Sequence, residues 1–150
     1  MYYCRIASEQ DIPCMVLLLK QLTEIETDFQ FDAEAHYDAL EQLIECSRSL
    51  VVVAVNNETN KVIGMITGQV MISTAVGGNT LFIDDLVVNE KFRGNGIGEG
   101  LLNYLTKKAD ESFNIKRMQL CADVQNEVAF KFYDKLQWQN TNYTYMRKYL

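Results

Sequence analysis

Apolar positions change their spacing several times along the chain, and each change marks an element. Tyr2 to Ala7 reads as a short strand, and Ser8 with Asp11 three residues on forms a capping-box-like helix start with Asp in the Glu/Gln place. Ile12, Met15, Val16, Leu19 and Leu22 then recur at helical spacing, and a second helix is predicted from about Asp32 to Cys46. Leu50 to Val55 is a β-branched run. After the turn Asn56-Asn57-Glu58-Thr59-Asn60 comes a strand from Lys61 to about Ser73, in which Gly64 and Gly68 predict bulges or weak spots. Gly77-Gly78-Asn79 turns the chain into a third strand of this group, Leu81 to Val88.

The second half is patterned differently. Ile97, Leu101, Leu102, Leu105 and Ala109 line one side of a helix running to about Ser112, entered from the preceding strand through a glycine-rich loop. Arg117 to Ala122 reads as a strand, Asn126 to Leu136 as a helix, and Trp138 to Leu150 as two short strands around Thr141-Asn142. The predicted order is β-α-α-β-β-β-α-β-α-β-β. Hairpins in the first half and helical crossovers in the second imply an α/β fold with a mixed central sheet and helices on both faces. No internal repeat, linker or low-complexity stretch interrupts it, and 150 residues predict a single domain spanning 1–150.

Hydrophobic residues make up 48% and charged residues 23%, which excludes disordered, collagen-like and disulfide-scaffold classes. The apolar runs are far shorter than the ~20 residues a membrane-spanning helix needs, so no membrane association is expected. Arg5, Glu9 and Asp11 interrupt any signal-peptide core, and a cytoplasmic location is the expectation. Cys4, Cys14, Cys46 and Cys121 form no CxxC pair and His36 is the sole histidine, so a Cys/His zinc site is not expected. The thiols are expected reduced, and His36 receives no role.

The negative charge is concentrated. Glu24, Glu26, Asp28, Asp32, Glu34, Asp38, Glu41 and Glu45 fall between Gln21 and Ser47 without a single base, while the remaining chain carries 12 acids and 14 bases. An acidic surface repels phosphate backbones, which argues against nucleic acid as a partner. The segment is either a solvated helical face or one wall of a cleft that draws in a cationic substrate, and the sequence leaves both open.

The sharpest chemical feature is Arg93-Gly94-Asn95-Gly96-Ile97-Gly98, between a strand and an amphipathic helix. Its glycines let backbone N–H groups turn inward, and the helix N-terminus adds favourable partial charge, so the loop is an anion cradle suited to phosphate. No Gly-Lys-Ser/Thr follows, which excludes a Walker A loop. Glu99 stands three residues after Gly96, and the loop comes late in the chain, so a Rossmann dinucleotide fingerprint fits poorly.

The loop does fit Arg/Gln-x-x-Gly-x-Gly/Ala, with Arg93, Gly96 and Gly98 in the defining places. Here the chain resembles the GNAT superfamily of acyl-CoA-dependent N-acetyltransferases, whose pyrophosphate loop has this form. Leu86-Val87-Val88-Asn89-Glu90-Lys91-Phe92-Arg93 is similar to the splayed strand that precedes that loop, and Asn126-Glu127-Val128-Ala129-Phe130-Lys131-Phe132-Tyr133 to the family's Asn-x-x-Ala-x-x-Phe-Tyr helix. These motifs cover roughly Leu81 to Trp138; the first half resembles the family in layout only. Two departures stand out. The family's Leu-Gly-Phe is replaced by Leu136-Gln137-Trp138, so a left-handed turn must be made without glycine, and Gly100 sits in the first turns of a helix, where it is expected to admit the cofactor closely.

The resemblance implies acetyl transfer from acetyl-CoA to a primary amine of a small molecule, by direct attack in a ternary complex. The amine must first lose a proton, and a carboxylate can take it. Asp84 and Asp85 stand where the polyamine acetyltransferases have a similar acidic pair; strand alternation sends them to opposite faces, with Asp84 the first choice and Asp85 the alternative. The resemblance further implies that the backbone of Leu86, Val87 and Val88 pairs with pantetheine and supplies an oxyanion donor. It makes Arg93 to Gly98 the pyrophosphate site and Tyr133 the proton donor to the leaving thiolate, against a reading of Tyr133 as a core aromatic. Asn126 reads equally as N-cap and as cofactor ligand. Alternative readings are a protein N-terminal or lysine acetyltransferase and a non-catalytic acyl-CoA sensor. A homodimer is left open.

Overall fold

The apolar pattern resolves into five strands and four helices in the computed structural model, which describes residues 1–26 and 30–150. Asp28, one of the eight clustered acids, lies outside the described residues. The chain divides into two compact units, Met1–Leu120 and Cys121–Leu150.

The first unit runs β1 (Tyr2–Ile6), α1 (Ile12–Thr23), α2 (Ala33–Glu45), β2 (Ser49–Asn56), β3 (Val62–Ser73), β4 (Gly78–Val88), α3 (Ile97–Phe113) and β5 (Ile115–Leu120). The strands lie side by side in chain order, antiparallel from β1 to β4, and α3 carries the chain over to a parallel β5, so the sheet is mixed as expected. The start of α1 is locked by charge. Asp11 accepts from the Ser8 N–H at 2.8 Å and from both terminal nitrogens of Arg5 at 2.7 and 2.8 Å, so a carboxylate only 6% exposed is fully paired.

Alternation along β2 divides the core. Val51, Val53 and Val55 join Met65, Val87 and the α1 stripe of Ile12, Met15, Val16 and Leu19 on one face. Val52 and Ala54 turn to the other face, where α3 lies. Helices therefore cover both faces. A Cβ on Gly68 would come within 2.9 Å of Leu81 and 3.1 Å of Leu105, and one on Gly64 within 3.1 Å of Leu101. The two glycines expected as weak spots are thus the places where α3 presses on the sheet. Truncating Leu101 or Leu105 to Ala, both wholly buried, would cost about 2–5 kcal/mol.

The second unit is built on α4 (Glu127–Lys135). Asn126 caps it, accepting from the Ala129 N–H at 3.1 Å. The helix ends without glycine: Gln137 takes the left-handed conformation (φ 64°), and its N–H and that of Trp138 close on the carbonyls of Asp134 and Tyr133 at 2.9 and 3.0 Å. The left-handed turn predicted at Leu136-Gln137-Trp138 is made by Gln137 itself. Residues 138–150, expected as two short strands, contain no strand. A lone two-stranded hairpin is marginal in water, and turn chemistry at Thr141-Asn142 cannot hold one without a further strand or an apolar face to cover. No described helix is long and apolar enough to cross a membrane.

Candidate active site

Strand β4 carries both carboxylates, and its register decides how they point. Ile66 pairs with Leu86 and Gly68 with Ile83, so the single residue Thr67 faces both Asp84 and Asp85. This two-for-one bulge reverses the parity of the strand. Leu81 lies toward α3 against the Cβ-free face of Gly68, whereas Val87 joins the α1 cluster. The expectation that strict alternation sends the two acids to opposite faces is therefore corrected: with one extra residue inserted, both lie on the side of the sheet that Thr67 faces.

Their surroundings differ. Asp84 is exposed, whereas Asp85 keeps only part of its surface in solvent and its carboxyl end is crowded by protein. The Thr67 hydroxyl donates to Asp85 Oδ2 at 2.7 Å and accepts from the Asp85 N–H at 3.1 Å. Burial pushes the Asp85 carboxyl up to about 6, with the charges of Asp84 and Glu26 adding to the rise and the Thr67 bond opposing it. Glu26 thus brings the acidic segment to the same carboxylate. Thr67 escaped the sequence reading, although a hydroxyl among the apolar residues of β3 signals a buried partner.

Past these acids the sheet opens. β4 pairs with β5 only from Asn79 to Ile83, while its pairing with β3 runs on to Val88. Among the described residues no strand borders the other edge of β4 from Asp84 to Val88, because β5 ends at Leu120, opposite Ile83, and β4 runs on past it. Val87 is anchored in the core, and the Val88 carbonyl accepts from Arg93 Nε at 3.0 Å.

The glycine loop follows. Gly94 and Gly96 both take left-handed backbone (φ 79° and 75°), and the space beside each is open. Asn95 Nδ2 donates to the carbonyls of Phe92 and Arg93 at 3.0 and 3.2 Å, turning those oxygens inward. Gly96 is the N-cap of α3 and has no side chain to satisfy the helix's first N–H groups, so those of Ile97, Gly98 and Glu99 remain for an outside acceptor. Acyl-CoA carries a diphosphate, and this cradle suits it. At Gly100 the expectation of close cofactor approach is corrected: the ring of Tyr2 fills the place a Cβ would take, and its hydroxyl donates to the Gly96 carbonyl at 3.1 Å. Beyond the oddity of Gly100, nothing in the sequence signalled Tyr2.

Asn126 and Tyr133 belong to the second unit. The Asn126 side chain serves as N-cap, the first of its two readings. Tyr133 is half-buried between aromatic neighbours, 5.1 Å from the Phe132 ring and 5.5 Å from that of Trp138. A depression of about 330 Å³ between β3, β4 and β5, lined by Met71, Thr80, Arg117 and Gln119 among others, contains none of the predicted site residues.

Comparison with known proteins gives a consistent picture. The model of the acetyltransferase (GNAT) family matches residues 19–138. No curated protein matches the sequence. Among solved structures, a possible acetyltransferase from Clostridium difficile 630 superposes with a TM-score of 0.85 at 22% identity, covering 100% of this chain and 98% of that one. An aminoglycoside N-acetyltransferase in complex with CoA gives 0.84 at 16%, covering 99% and 95%. Glucosamine-6-phosphate N-acetyltransferase from Arabidopsis thaliana gives 0.76 at 22%, covering 99% and 98%.

Proposed function

Since the chain belongs to the GNAT acetyltransferase family, we propose that it moves an acetyl group from acetyl-CoA to a primary amine of a cationic small molecule, by direct attack in a ternary complex. The observation that carries this reading is the pairing of an open anion cradle at Arg93 to Gly98 with a half-buried carboxylate, Asp85, on the strand that leads into it. Asp85 replaces Asp84 as the preferred base. A carboxyl raised to about 6 is ionised at neutral pH yet basic enough to take a proton from an ammonium group directly or through water.

The chemistry balances without a covalent enzyme intermediate. Asp85 takes the first ammonium proton and passes it to solvent, and the freed nitrogen bonds to the thioester carbonyl carbon. As the carbon–sulfur bond breaks, that nitrogen gives up its second proton to water, which also restores the Tyr133 proton spent on the thiolate. The departing thiolate takes a proton from Tyr133, the role its match to the family motif suggests. The backbone of Leu86, Val87 and Val88 supplies pairing for pantetheine and an N–H for the oxyanion, which the unbordered edge of β4 supports. A cationic acceptor is favoured by Glu26, whose charge reaches Asp85 from the acidic segment, and small amine acceptors by the names of the two neighbouring N-acetyltransferases.

The test is CoA release from acetyl-CoA over polyamines, aminoglycosides, amino sugars, amino acids and peptides, with a no-acceptor control. Turnover is expected to be fastest with multiply charged small amines. Turnover confined to peptides would move the acceptor class to protein amines, and binding of acetyl-CoA without turnover on any acceptor would leave a sensor.

A further inference from the structure

We infer that Tyr2, on the opposite edge of the sheet from β5, is a positioning residue for the anion cradle: its hydroxyl holds the Gly96 peptide so that the Ile97 N–H faces an incoming diphosphate. This rests on the reading of Arg93 to Gly98 as the diphosphate loop.

Geometry carries the argument. The Gly96 carbonyl accepts two hydrogen bonds, one from the Gly100 N–H at 2.9 Å and one from Tyr2 Oη at 3.1 Å. In a planar trans peptide the C=O and the following N–H point in opposite directions. Fixing the Gly96 oxygen toward the helix and Tyr2 therefore fixes the Ile97 N–H outward, among the unsatisfied donors at the start of α3. This peptide needs holding. Glycine moves readily between left- and right-handed backbone, and Gly96 has no capping side chain to keep it at φ 75°.

Tyr2 can reach the loop because position 100 is glycine, where any Cβ would collide with the phenol ring. The substitution penalty of a glycine inside α3 is thereby offset by a contact between β1 and the helix start. Burial, together with the charges of Cys4 and Glu99, raises the Tyr2 phenol above its ordinary value, so the group stays protonated and remains a donor.

The experiment compares the specificity constants for acetyl-CoA and for S-acetyl-pantetheine, which lacks the diphosphate, in the parent and in Tyr2→Phe. Loss of one hydrogen bond that orders a donor should lower the ratio of the two by about three- to tenfold, through KM for acetyl-CoA and not through kcat. Gly100→Ala, which keeps the hydroxyl but displaces the ring, should lower the same ratio. An equal loss toward both donors in Tyr2→Phe would make Tyr2 a structural residue and overturn the inference, as would an unchanged ratio. A parent that does not prefer acetyl-CoA over S-acetyl-pantetheine would instead refute the diphosphate loop.

Discussion

Thr67 and Asp85 hold each other twice across a β-bulge: the hydroxyl donates to the carboxylate at 2.7 Å and accepts from the same residue's N–H at 3.1 Å. The first bond favours the ionised carboxyl, while burial and the charges of Asp84 and Glu26 oppose ionisation. Thr67→Val should then raise the Asp85 pKa, moving the acidic limb of the kcat/KM profile from about 6 to higher pH, while Thr67→Ser leaves it in place. A limb unmoved in Thr67→Val would exclude Asp85 as the group that sets it.

Asp84→Asn removes a neighbouring negative charge, so the same limb should move down in pH with turnover largely kept. Asp85→Asn should lower kcat/KM by about 10²-fold or more. Reversal of these two outcomes would return the base to Asp84.

Asp85 also opposes folding at neutral pH. Its folded pKa of about 6 lies above the ordinary 3.8, so the native state binds more protons than the unfolded state between these values, and stability falls as pH rises through that window. Asp85→Asn should therefore raise the unfolding free energy at pH 7, by at most about 3 kcal/mol, and the gain should vanish below about pH 4. Chemical denaturation at the two pH values measures it.

Gly96→Val forces a β-branched residue into left-handed backbone and places methyls in the open space of the cradle. Affinity for acetyl-CoA should fall by about an order of magnitude or more, read by calorimetry on a variant with a native circular dichroism spectrum. Undiminished affinity would move the diphosphate elsewhere.

Tyr133→Phe should lower turnover by about 10²-fold with little change in KM for acetyl-CoA, because the hydroxyl matters when the thiolate departs. If turnover stays within about twofold while chemistry limits the rate, Tyr133 serves only the aromatic cluster with Phe132 and Trp138.

Long-range attraction of the acceptor is the remaining expectation. KM for a cationic amine should rise with ionic strength as screening shortens to about 10 Å at 0.1 M. A charge-neutral variant of Glu24, Glu26 and Asp28 should blunt that rise; identical salt dependence would mark the acids as a solvated face.

The sequence by itself determined whatever depends on neighbours a few residues apart. Helical spacing located α1 and α3, a β-branched run located β2, the turn at Gly77-Gly78-Asn79 located β4, and the spacing of Arg93, Gly96 and Gly98 located the cradle, because each of these rests on local backbone geometry. The family resemblance added a left-handed turn after α4, which Gln137 supplies. Tertiary structure decided what depends on register and distance. One extra residue in β4 against β3 put Asp84 and Asp85 on one face, and no local pattern marks where a ladder slips. Thr67 meets Asp85 across 18 positions and Tyr2 meets Gly96 across 94, contacts that exist only once the sheet has assembled. The two strands expected around Thr141-Asn142 failed for the same reason in reverse, since a turn signal is local, but a strand needs a partner that only the rest of the fold can provide.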